Sequence, residues 1–187
     1  MVLESFGDDQ KHWIKLLDQP LTRRASESLA LAAMEQKGSI VVLLSIVRQA
    51  ERIIASRASW VLGHLWDMDP ESLVANQSEI VAIILNTEID SIRRNFLRII
   101  IDFELNDTEL MALFEPCIQW MTSERFAIAV RCNAMQVLYL ACLQEPELSP
   151  EVQANIEACI DYGSAGFKAR GKSIVKKLAL LKRDKDY

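Results

Sequence analysis

Glycine and proline are scarce, at 6 and 5 of 187 residues. Sheets and barrels need many tight turns, and tight turns draw on both residues, so the shortage points to helices. Histidine is scarcer still, with His12 and His64 alone. No HExxH, no Gly-x-Ser-x-Gly and no EF-hand spacing of acids occurs. This leaves little material for a metal centre, a nucleophilic triad or a resident cofactor, and none is expected. Cys117, Cys132, Cys142 and Cys159 are widely spaced, without CxxC or a neighbouring histidine. They read as reduced core thiols of a cytoplasmic protein rather than disulfides. The longest apolar stretch, Ile40 to Val47, is far short of the ~20 residues that cross a bilayer. Met1 to Asp9 carry neither a basic n-region nor an apolar h-region, so no leader is expected.

What is present is a globular composition. Half of the residues are hydrophobic and 25% are charged, with a net charge of -5. An acidic chain is a poor start for nucleic-acid binding, which depends on neutralised phosphates. The charge is uneven. From Ser164 onward there are 8 Lys+Arg against 2 Asp+Glu, and the preceding chain holds 13 against 24.

An arginine recurs near the start of successive apolar segments: Arg57 before Trp60-Val61-Leu62, Arg93 before Phe96-Leu97, Arg131 before Ala134-Met135, and Arg170 before Ile174-Val175, with a fainter copy at Arg23. The intervals are 34, 36, 38 and 39 residues, the period of helical-hairpin arrays. Four residues after the arginine stand Val61, Leu97, Met135 and Ile174; eight after stand Leu65, Ile101, Tyr139 and Leu178. Two after stand the polar Ser59, Asn95, Asn133 and Lys172. On a helix these columns fall near roughly 40°, 80° and 200°, so one side is expected to be buried and the opposite side wet in every copy.

Each of these helices follows another apolar segment: Trp13 to Leu17, Ile40 to Val47, Ile80 to Leu85, Leu110 to Met121 and Val152 to Ile160. Five two-helix units result, near 9–37, 38–68, 69–105, 106–146 and 147–183, within one domain of residues 1–187. Asp69-Pro70-Glu71 and Ser149-Pro150-Glu151 read as helix starts. Pro116 falls inside a helical pattern and predicts a kink. The β-branched runs Ile40 to Leu44 and Ile80 to Leu85 are also compatible with buried strands and an α/β fold.

Val130-Arg131-Cys132-Asn133-Ala134-Met135-Gln136-Val137-Leu138 resembles the second helix of a HEAT repeat, and the chain is similar in period to HEAT or armadillo arrays. The resemblance implies an all-α, right-handed α-α superhelix of about five hairpins. It also implies an acid in the turn before each arginine helix, for which Asp18, Glu51, Asp90 and Glu124 are candidates. Such arrays usually hold partners and do not catalyse reactions. Some HEAT-like proteins are DNA glycosylases with a basic concave face and nearby Trp and Asp, which is the alternative reading.

Gly166 to Ser173 matches the P-loop string G-x-x-x-x-G-K-[ST]. A P-loop follows a strand, however, and here helical spacing precedes it while only 14 residues follow. The string reads as the start of the fifth unit's second helix. Trp13, Trp60 and Trp120 read as core, and Trp66, at a helix end beside Asp67, as the exposed exception. Arg23, Arg57, Arg93, Arg131 and Arg170 are expected to brace the stack as a ladder. Arg94, Asn95, Arg98, Asn133, Gln136 and Lys172 are expected to line a polar strip that binds a protein or acidic peptide. A basic C-terminal end on an acidic body also suggests a homo-oligomer.

Overall fold

The computed structural model describes residues 7–183, with side chains through residue 181. Among these residues there is no strand. Contacts group the chain into two compact units, residues 1–99 and 100–187. The first holds α1 (Asp8–Leu17), α2 (Arg23–Glu35), α3 (Ser39–Gln49), α4 (Arg52–Met68), the short α5 (Glu71–Val74), α6 (Gln77–Asn86) and α7 (Asp90–Ile100, whose last residue falls past the division). The second holds α8 (Asp107–Thr122), α9 (Ile128–Gln144), a 3-10 turn (Pro146–Leu148), α10 (Ser149–Ile160) and α11 (Ala165–Arg183).

The β-branched runs are helical: they form α3 and α6. Short periodic runs of this kind do not by themselves separate a strand from a buried helix. Here the periodicity continues too long for a strand, with Leu43, Leu44, Ile46 and Val47 buried along α3. Local signals set the ends. Gly38 is the one described residue with positive φ, at 87°, and turns the chain between α2 and α3. Thr22 Oγ1 accepts from Ala25 N at 3.2 Å, and Glu51 Oε1 from Ile54 N at 3.0 Å. Asn106 and Glu109 form a capping box at α8, with bonds of 3.0 and 3.3 Å. α8 runs on through Pro116 to Thr122.

In the first unit, α1 packs on α3 and α2 on α4, like on like, while α3 packs on α4 within its hairpin. The second unit repeats the scheme: α8 with α10, α9 with α11, and hairpin partners together. The four-after column lies wholly in the interiors, whereas in the eight-after column Ile101, just past α7, and Tyr139 are only half-buried. Val61, Leu65, Leu97, Met135, Ile174 and Leu178 are all at most 1% exposed. Gly171, the second glycine of the P-loop-like string, lies in the middle of α11. A Cβ there would stand 2.8 Å from Ile160 Cδ1, so the glycine lets α10 and α11 approach closely. The string is a helix-packing device, with no loop to cradle a phosphate.

Candidate partner-binding face

The ladder arginines act on helix ends. The last carbonyls of an α-helix have no partner within it and carry the negative end of its dipole. Arg57 Nη1 donates to Leu17 O at 2.8 Å, at the end of α1. Arg93 Nη2 donates to Thr87 O, just past α6, and its Nη1 to Asp90 Oδ1 at 3.0 Å. Arg131 Nε donates to Met121 O at 2.9 Å, near the end of α8. Arg131 is 5% exposed, and its guanidinium lies over the buried Phe167 ring, 4.5 Å from the centroid. The two outer arginines differ. Arg23 is exposed and bonds Glu27 Oε1 of its own helix at 2.8 Å. Arg170 is exposed on α11, near enough to Cys132 of α9 to act on its thiol. Of the candidate acids, Asp90 pairs with its arginine, whereas Glu51 caps α4.

The polar column two residues after each arginine is not a common wet face. Ser59 is fully buried and Asn95 is 8% exposed. Asn95 Nδ2 donates to Ser59 Oγ at 3.0 Å, across the contact between α4 and α7. Ser56 Oγ and Ser91 Oγ share a hydrogen bond of 2.8 Å on the same seam. Polar residues here join two second helices, so Asn95 is nearly buried and spends its Nδ2 on Ser59. Asn133 and Gln136 are half-buried on α9, and Lys172 is exposed on α11.

The seam opens to solvent at Arg98. Arg98 Nη2 donates to Gly63 O at 3.0 Å, and Nη1 to Asp67 Oδ1 at 2.6 Å. Both charged side chains are nearly half exposed, at 46% and 49%. Arg94, one turn earlier on α7, is exposed and leans toward Asn95 Oδ1 at 3.2 Å. Beside Asp67 stands His64, its Nδ1 4.0 Å from Asp67 Oδ2 and its ring tilted on Trp60, with centroids 5.4 Å apart. Burial holds the His64 pKa below its ordinary value, and Arg23 and Arg98 add to that against Glu27 and Asp67. These charges come from α2, α4 and α7, so three second helices meet at one polar and aromatic patch.

Trp13 and Trp120 are core as expected, and Trp60 and Trp66 exchange places. Trp66 is buried at 7% exposure, as are Trp13 and Trp120, whereas Trp60 is the half-exposed one. Trp60, Gly63, His64 and Asp67 were missing from the expected site. Their signal was the mid-helix glycine, an unfavourable residue there without a packing reason. A cavity of about 560 Å³ lies elsewhere in the first unit, between α3 and α6, where Arg48 and Glu79 pair at 3.4 Å. Among the described residues no cluster of His, Cys, Asp and Glu could hold a metal, and no helix is long and apolar enough to cross a membrane.

The hairpins, the arginine-capped helix ends and the like-on-like packing agree with one further observation: the HEAT repeat domain matches residues 13–178. The chain belongs to the HEAT repeat family. HEAT repeats in general mediate protein interactions. No curated protein and no solved structure gives a match to the chain.

Proposed function

We propose that this HEAT repeat protein is a non-catalytic module that takes an acidic protein segment on the second helices of its first unit, at Arg94 and Arg98 with Trp60 alongside. One observation carries the reading. The Arg98 guanidinium is held in place by Gly63 O and Asp67 while staying half exposed. Asp67 already takes both terminal nitrogens, so an arriving carboxylate would meet the remaining N–H groups of a guanidinium that is fixed in place and loses less freedom. Trp60 supplies a rigid apolar edge of the kind enriched at binding hot spots. Asn133 and Gln136 on α9 are the second unit's candidates for the same task. In this reading the five hairpins are repeats of one array working in the cytoplasm.

The test is titration of a glutamate-rich peptide, followed by tryptophan fluorescence, into the wild type and an Arg94→Glu/Arg98→Glu variant. Binding by the wild type and its loss in the variant, with unchanged circular dichroism, supports the site. Equal binding by both removes it.

A nucleic-acid reading has one observation in its favour: Asp67 pairs with Arg98 and adjoins His64, whose ring leans on Trp60. The overall charge of -5 works against a backbone footprint. Release of alkylated bases from a duplex oligonucleotide, abolished by Asp67→Asn, would establish that reading.

A further inference from the structure

The second unit is strongly segregated in charge. Residues 100–161 hold 11 Asp+Glu and only Arg125 and Arg131, the latter buried, whereas residues 162–183 hold seven Lys+Arg and no acid. The two populations do not neutralise each other. No ion pair among the described residues involves Lys168, Arg170, Lys172, Lys176 or Lys177. Glu157, on the neighbouring helix, instead accepts from Gln153 Nε2 at 2.8 Å.

The lysines form a ridge. Lys168, Lys172 and Lys176 recur every four residues, which on a helix gives steps of about 6 Å along one edge. The face of α11 that meets α9 is marked by Phe167 under Arg131 and by Lys177 over Tyr139, 5.1 Å from the ring centroid. Helical geometry turns the ridge away from that face. On α10 the same spacing aligns Gln153, Glu157 and Asp161, with both acids exposed. Tyr162, 77% exposed, adjoins the acidic ridge.

This pattern is not what the fold asks for. Lys168 sits at the end of the first turn of α11, where the helix dipole disfavours a cation. A polar end face needs only mixed charge to stay soluble, not a row of one sign beside a row of the other.

We propose that the outward side of the C-terminal hairpin docks a second copy of this chain. A two-fold axis sets the lysine ridge of each α11 against Glu157 and Asp161 of the other α10, with Tyr162 as the apolar anchor. Such a surface is self-complementary, as a two-fold interface must be. It rests on α10 and α11 alone and is independent of the site on α4 and α7.

The experiment is sedimentation equilibrium of the full chain. The wild type is expected to dimerise, with its dissociation constant rising at least ~10-fold between about 0.05 and 0.5 M salt as exposed charges are screened. Lys168→Glu/Lys172→Glu/Lys176→Glu alone and Glu157→Lys/Asp161→Lys alone are expected to be monomeric. An equimolar mixture of the two is expected to restore a dimer, since each supplies the sign the other lacks. A monomeric wild type at low salt, a dimeric lysine variant, or a mixture that stays monomeric overturns the proposal. So does a wild type that stays monomeric while binding a labelled oligonucleotide through the same lysines.

Discussion

Arg98 crosses α4 at Gly63, with its Nη2 3.0 Å from the glycine carbonyl, and a Cβ on Gly63 would stand 3.2 Å from that same nitrogen. The glycine makes room for the arginine. Gly63→Ala should gain about 1 kcal/mol of helix propensity and lose a hydrogen bond worth about the same. Stability by urea unfolding is therefore expected to change little, while affinity for an acidic peptide falls. A loss of stability above ~2 kcal/mol would show that the arginine bond outweighs propensity.

Arg131 braces the second unit from inside. Its Nε caps the end of α8 and its guanidinium covers Phe167. Replacing it with methionine leaves the Met121 carbonyl without this donor and removes the charge that faces it. A loss of about 2–4 kcal/mol in urea unfolding is expected, in the range for a buried charge-assisted bond together with its packing. An unchanged midpoint would mean that α8 needs no cap from α9.

His64 makes the fold sensitive to pH. Its folded pKa lies below the ordinary value of 6.5, chiefly because burial disfavours the charged ring. The unfolded chain therefore binds the proton more readily, and stability falls as pH drops below the ordinary value and through the folded one. Denaturation midpoints for the wild type should decline on that limb more steeply than those of His64→Gln. A parallel decline would assign the effect to other groups. Asp67→Asn, by removing a charge that raises the pKa, should move the NMR titration of His64 lower still.

The thiols should be slow to react. Cys132, Cys142 and Cys159 are free thiols, and of the four cysteines Cys132 alone is not buried. Burial raises the Cys132 pKa, with Arg170 and Arg131 offsetting it in part, and burial likewise raises Cys142 and Cys159. Since the thiolate is the reacting species, native protein at neutral pH should add maleimide slowly, at Cys132 first. Mass spectrometry of a labelling time course checks the order, and rapid labelling of Cys142 or Cys159 would contradict it.

Spacing alone located the helices and their buried columns. Val61, Leu97, Met135 and Ile174 are legible because burial against the first helices recurs at a fixed angle, and angle is what a linear sequence records. Arg57, Arg93 and Arg131 were visible as a recurring residue, but only the three-dimensional packing showed that each reaches the end of an earlier helix. The polar column was the harder case. Ser59, Asn95, Asn133 and Lys172 look alike in the sequence, yet Ser59 and Asn95 close on each other while Lys172 faces solvent. A polar side chain satisfied by a neighbouring helix leaves the same pattern as one satisfied by water. Which of the two it meets depends on where the next hairpin lies. For the same reason Trp60 and Trp66 exchanged their expected places. The sequence determined that this chain folds as helical hairpins with an arginine recurring near the start of the second helix; the packing of α4 against α7 decided that Arg98, and not Asn95, reaches the surface.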